Sequence, residues 1–337
     1  MATASNYLKT LSLADVASMK NPDGSTAKIA EVLTQYNPML GDIPFVEGNT
    51  ETGTVITRRQ SIGEAYWRRL NSGVKTGVSR TTQVTETCGI LETYSEVDKR
   101  LVSMASDKEA FMLSQAKGQM EAMSQEMAET FLYGNSYKQP EKFLGLMPRL
   151  DKLNKTVRNG SPIVLDAGGT NSGHLASILL VGWGEDKVCG IYPKGSKAGL
   201  DYEDLGQVTL EDGNGGKYEG YRSHWTWEAG LAVHDYRYVI RIANIDTTTL
   251  DYSDENAVKK LAGLMIDALS LIPVGSSPNL KAYAPREVWA YISKLQLANN
   301  SRNVNVPTSD SARLVSDFYG VPFKMMDCML STETKVS

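Results

Sequence analysis

The chain's 337 residues, 41% hydrophobic and 22% charged, are enough for one large domain or two smaller ones around real cores. A net charge of -4 leaves no overall positive field, which argues against a module for non-specific nucleic-acid binding. Three widely spaced cysteines, Cys88, Cys189 and Cys328, offer neither a disulfide framework nor a zinc knuckle and suit a reducing cytoplasm, and no apolar run approaches the roughly 18 residues of a membrane span.

Residues 1–44 carry two short helical patterns, TLSLADVASMK and TAKIAEVLTQYN, separated by the turn residues Asn21-Pro22-Asp23-Gly24. That is too little for a domain. From residue 45 to about 102 the character changes to short alternating runs (TVITRRQ, TTQVTETCG, LETYSEVD) around a Gly-rich middle, NSGVKTG, which predicts a long β-hairpin. Its middle holds Arg58, Arg59, Arg68, Arg69, Lys75 and Arg80 with few apolar residues to bury. A hairpin so poor in core is marginal alone and needs a surface to lie on.

The next segment predicts a long helix. Ser106-Asp107-Lys108-Glu109 fits a capping box, and Met112, Ala116, Met120, Met123, Met127 and Phe131 form an apolar stripe that ends at Gly134-Asn135. Lys108, Gln115, Lys117, Glu121, Gln125 and Glu129 occupy the other side, so the helix is one-sided. Further strands are expected at SILLVGWG, KVCGIYP and along HWTWEAGLAVHDYRYVIRIANID, with EDGNGGKYEG as a loop. Two helices follow, DENAVKKLAGLMIDALSLI, capped near Ser253 or Asp254, and PREVWAYISKLQLA, opened by Pro285. A last strand-like run, GVPFKMMDCML, leads to a polar tail.

Catalytic signals are weak. GIYPKGSKAG (190–199) nearly spells a phosphate-binding loop, but Ser196 and Lys197 stand in reversed order. No amphipathic helix begins after it and several acids follow, so a strand leaving through a Pro-Lys-Gly-Ser turn is the better reading. His224 and His234 share a strand face, but about 33 Å separates them in extended chain, too far for joint metal ligation. No G-x-S-x-G elbow is present. The hairpin arginines lack interleaved aromatics apart from Tyr66 and Trp67, so contact with an acidic neighbouring protein suits them at least as well as nucleic acid. The stretches without a core of their own must bury apolar surface on other chains.

The runs NPMLGDIPFVEGN, AYWRRLNSGV, ETYSEVDKRL, ETFLYGN followed by PEKFLGLMPRL, GIYPKGSKAGL and DYRYVIRIANID span most of the chain. Together they resemble the major capsid proteins of tailed bacteriophages with the HK97-type fold, especially those of short-tailed phages of the epsilon15 kind. The resemblance implies an α+β fold with an N-terminal arm at 1–44, an extended E-loop at 45–103 lying across a neighbouring subunit, and a peripheral domain with a spine helix at 104–160. The remainder, 161–337, would form the axial domain, with peripheral strands at about 217–247. DYRYVIRIANID precedes the helix PREVWAYI and the strand YGVPFKMMD, an order that reads as a topological rearrangement provided residues 224 to 246 lie beside the spine helix.

The expected function is structural: hexamers and pentamers forming an icosahedral shell around double-stranded DNA, located in the virion and assembled in the host bacterial cytoplasm. No catalytic, cofactor or metal site is expected. A scaffolding protein, a portal protein and a decoration or cementing protein are the implied partners, with no membrane. Scaffolding is expected to be a separate protein, because the arm is reached within 44 residues. Arg58, Arg59, Arg68, Arg69 and Lys75 are the expected intersubunit contacts. Lys75 lies where a self-crosslinking lysine would sit, but no motif marks a matching asparagine or acid. A cellular shell enclosing a cargo enzyme, and an enzyme binding nucleotide through residues 190–199, are the alternatives.

Overall fold

A computed structural model describes residues 35–105, 107–156, 161–212, 215–250, 255–273, 279–298 and 315–337. The helical patterns of the first 34 residues, Ser106 of the capping box and the Ser253-Asp254 cap lie outside the described residues. In chain order the elements are α1 (Met39–Asp42), β1 (Phe45–Glu47), β2 (Gly53–Ser61), β3 (Arg80–Asp98), α2 (Lys99–Met104) and α3 (Lys108–Tyr133). There follow β4 (Ile163–Asp166), β5 (Leu175–Trp183), β6 (Val188–Tyr192), β7 (Leu200–Glu211), β8 (Lys217–Val233) and β9 (Val239–Asp246). The last are α4 (Glu255–Leu271), β10 (Asn279–Ala284), α5 (Arg286–Ala298), β11 (Val315–Phe318) and β12 (Val321–Met325).

Two compact units interleave in sequence. Among the described residues the first takes Ile90–Met127 and Gly199–Trp227, the second Gln35–Gly89, Ala128–Ala198 and Glu228–Ser337. The division falls inside β3, α3 and β8.

The second unit is built on a sheet of order β11-β12-β10-β5-β9-β4, antiparallel except at β12/β10 and β9/β4. All of β5 and all but the last residue of β9 are buried, so neither strand alternates between a buried and an exposed face, and the polar Ser177, Arg241 and Asn244 are buried with the rest. Helix α4 packs on β9 and α5 on β12. The expected Pro285 opening is present, with the Trp289 amide donating to the Pro285 carbonyl at 3.0 Å. Strand β6 lies between β1, in parallel, and the end of β8, antiparallel. Gly190 makes the β1 contact possible, since a Cβ there would stand 2.7 Å from the Phe45 ring and 2.8 Å from Ile43.

The predicted hairpin is present as β2 and β3, paired from Gly53↔Thr87 to Arg59↔Thr81, with a bulge between Arg59 and Ser61.

In the first unit β7 pairs antiparallel with β8, from Leu200↔Trp227 to Glu211↔Lys217. The methionine stripe of α3 proves to be core: Ala116 and Met123 pack with Trp225, while Leu91, Met120 and Trp227 flank them. A second cluster joins Val97, Leu101, Val102 and Phe111. At the helix start the Asp107 carboxylate accepts from the Ala110 amide at 3.0 Å, so Asp107 supplies a capping oxygen. Of the run 224 to 246, Trp225 and Trp227 pack on this helix, and β9 lies between β5 and β4. With only its last residue short of burial, β9 has a strand on each edge and α4 packed on it.

Candidate functional site

The base of the β2–β3 hairpin is held by a buried charge cluster. Glu86 on β3 is 5% exposed. Arg149, the last residue of a single 3-10 turn (Met147–Arg149), grips it with both ends of its guanidinium, Nη1 to Oε1 and Nη2 to Oε2, each at 2.7 Å. The remaining Arg149 donors reach the carbonyls of Gly145, Leu144 and Leu231. Arg58 adds a third charge: its Nη2 is 2.9 Å from Glu86 Oε1 and also donates to the Val233 carbonyl, and its guanidinium lies over the Tyr236 ring. The Arg149 fork, with both ends on Glu86 and its other donors on backbone carbonyls, is the geometry in which a buried ion pair holds together, whereas Arg58 Nε is buried with no hydrogen-bond partner among the described residues.

The five expected contact residues therefore separate. Arg58 is engaged inside its own chain. Arg59, Arg68, Arg69 and Lys75 are exposed, toward or within the tip of the hairpin. That tip is a formed turn: the Ser72 amide donates to the Arg69 carbonyl at 3.2 Å, Arg68 Nε to the Ser72 carbonyl at 3.1 Å, and Asn71 adopts a left-handed φ of 62°. Ser79 Oγ donates to the Ser61 carbonyl at 2.9 Å, closing the two limbs together. The turn holds Trp67 and Leu70 outward, 102% and 96% exposed, with Ile62 at 80% and Val78 at 70%. Sequence reasoning singled out the arginines and named Trp67 only as a poor stacking platform. The apolar residues interleaved with those arginines were the missed signal.

A second surface also went unread. Strand β7, LDYEDLGQVTLE, is exposed along most of its length and carries Glu203, Asp204 and Glu211 on a strand paired, among the described residues, with β8 alone. Read as sequence, the acids of this run count only against phosphate binding.

The 190–199 loop behaves as a turn. The Ser196 amide donates to the Pro193 carbonyl at 3.1 Å, Gly195 has a φ of +84°, and the Gly195 amide donates to Glu47 Oε1 at 2.9 Å. Ser196 Oγ donates to the Glu228 carboxylate. Carboxylates thus take the donors that a phosphate would need. His224 stacks on Tyr94 with ring centroids 4.4 Å apart, its Nε2 3.4 Å from Glu92. Half-buried His234 is held below the usual histidine pKa by burial and by Arg58. Burial raises all three cysteine thiols to about 12, so they stay protonated at neutral pH. Among the described residues no group of three or more His, Cys, Asp or Glu could hold a metal, and no helix is long and apolar enough to cross a membrane.

A second buried network anchors the tail. Arg241 Nη2 meets Glu333 Oε2 at 3.0 Å, its Nε donates to Ser177 Oγ at 3.0 Å, and Nη1 donates to the Leu150 carbonyl at 2.8 Å. Tyr133 OH donates to Glu333 Oε1 at 3.2 Å. Nothing local in the sequence marks these pairs, which lie far apart along the chain.

The family model described as Major capsid protein GP7 matches residues 21–337. Among solved structures, a chain of the near-atomic structure of bacteriophage Epsilon15 is similar at TM-score 0.75 and 30% identity, over 100% of this chain and 99% of that one. The bacteriophage JBD30 capsid gives TM-score 0.48 and 8% identity over 84% and 90% of the two chains. The capsid of the native GTA particle gives 0.46 and 9% over 72% and 97%. No curated protein matches. With a hairpin tip that leaves its apolar residues uncovered, a phosphate-like loop that is a turn, and a family match over nearly the whole length, the chain belongs to the family of Major capsid protein GP7: it is a tailed-phage major capsid protein of the HK97-type fold, a shell component of the virion.

Proposed function

We propose that this capsid protein acts through assembly alone, as hexamers and pentamers that close into an icosahedral shell around double-stranded DNA. The observation that carries this reading is the hairpin tip, where Trp67, Leu70, Ile62 and Val78 stand exposed beside Arg59, Arg68, Arg69 and Lys75. A solvated apolar cluster of this kind is the mark of a surface made for another protein chain. In this reading residues 45–103 are the E-loop reaching a neighbouring subunit, α3 is the spine of a peripheral domain, and the sheet flanked by α4 and α5 is the body of the axial domain. Arg59, Arg68, Arg69 and Lys75 make contacts between subunits, while Arg58 fixes the root of the hairpin.

Exposed ion pairs contribute only about 0 to 1 kcal/mol each. Repeated around every capsomer, they set register and direction. The net charge of -4 suits a wall that packs against DNA without gripping it. The wider partners are a scaffolding protein, a portal protein and a decoration protein, with assembly in the host cytoplasm. Occupation of the Gly195 amide by Glu47 favours a chain without nucleotide chemistry over the enzyme alternative. Particles recovered from infected cells test the reading: nuclease-protected double-stranded DNA inside them supports it, and a protein cargo in place of DNA would favour the cellular-shell alternative instead.

A further inference from the structure

The tip of the hairpin and strand β7 are opposite in charge and alike in form. Residues 59–80 hold five basic side chains, Arg59, Arg68, Arg69, Lys75 and Arg80, against one carboxylate, Glu64. Residues 200–212 hold five carboxylates, Asp201, Glu203, Asp204, Glu211 and Asp212, and no base, which makes them the most acidic stretch of that length in the chain. Each charge set is interleaved with exposed apolar groups: Trp67 and Leu70 on the tip, Leu200 (37%), Tyr202 (50%) and Leu205 (39%) on β7. Among the described residues β7 has a strand on one edge only, and a bulge between Asp204 and Gln207 breaks its register.

We infer that the hairpin tip of one copy docks on the open edge of β7 of a second copy, Trp67 and Leu70 seating against Leu200 and Tyr202 while the tip's basic side chains meet Asp204 on the same face and Glu203 on the other. The inference rests on the shell reading above and names the acceptor surface that reading lacks. Complementary charge selects this acceptor: the same tip laid on a basic or neutral face would desolvate its guanidinium groups without compensation. The aromatic supplies the anchor. Tryptophan and arginine are the side chains on which interface energy concentrates, and an edge strand blunted by carboxylates stays soluble until a basic partner covers it. Preformation adds to this, because the Arg69–Ser72 turn and the Ser79–Ser61 bond order the tip before it docks.

Charge exchange in the full-length protein tests the contact. The variants are R68E/R69E, E203R/D204R, the four-fold combination and W67A, read as the yield of assembled particles by sedimentation, with urea midpoints to check folding. Each altered residue is exposed, so the midpoints should match the wild type. Each charge pair alone is expected to lower particle yield at least about tenfold, the combination to restore it to within about threefold, and W67A to lower it without changing any charge. Wild-type yield from E203R/D204R, or a combination no better than its parts, would overturn the β7 assignment and leave the shell reading standing. Wild-type yield from W67A would overturn the anchor. A wild-type chain that stays monomeric under all assembly conditions would overturn the shell reading, and this contact with it.

Discussion

At the scale of single residues, charge alone is a poor guide to role. Arg58 and Arg59 are adjacent in sequence, yet one guanidinium lies on Glu86 and the other is in solvent, because alternate residues of a strand face opposite ways. The partner that decides the matter, Arg149, is 63 positions from Glu86 and carries no local signature. Removing Arg149 should be costly: R149M leaves Glu86 buried with only Arg58 to balance it, and such breakage costs about 3–5 kcal/mol. A urea melt reads this as a lowered midpoint with unchanged slope; a midpoint equal to wild type would show that the cluster contributes nothing. The neighbouring histidine adds a pH dependence. His234 has a folded pKa below its ordinary 6.5, through burial first and Arg58 second, with Asp186 and Glu86 opposing. The unfolded chain therefore takes the proton first as pH falls below that ordinary value, and stability declines there. The loss of urea midpoint between about pH 7.5 and about pH 5.5 should be smaller in H234Q than in wild type. An equal loss would assign the acid sensitivity to other groups.

At the scale of elements, what the sequence makes legible is what has a one-sided environment. Helix α3 announced itself through its apolar stripe, and Trp225 proves to pack against that stripe. The hairpin was legible because β2 and β3 alternate. Strand β7 was not, since a strand exposed along most of its length has no buried face to set a period. Short strands β4 and β10 also escaped, being too brief for periodicity to separate them from loop. The stop after α3 was legible and can be tested. A Cβ on Gly134 would stand 2.5 Å from the Thr130 carbonyl and 2.6 Å from that of Phe143, both backbone atoms that cannot yield cheaply. G134A should therefore destabilise by about 1–3 kcal/mol, as overpacking does. In contrast, G118A sits in open space on the same helix and should stabilise by about 0.5–1 kcal/mol through helix propensity. Equal midpoints for the two variants would contradict the close approach at Gly134.

At the scale of the whole molecule, composition excluded more than it identified. Length, the charge of -4 and three unpaired thiols fit many proteins, and the family entered only through ordered runs of residues that no single physical rule would select. What physics adds is the division of labour among those residues: buried ion pairs fix the hairpin's root, while its tip keeps apolar and basic groups in solvent. Such a chain is incomplete alone, and its function is a property of many copies. Light scattering on the purified protein at high concentration, with electron micrographs of the same sample and of particles from infected cells, tests this most directly. The account predicts ring-shaped capsomers, tubes or closed shells, with masses that are multiples of the 36.9 kDa chain. A protein that stays monomeric at every concentration, with and without the other components of the particle, would contradict it.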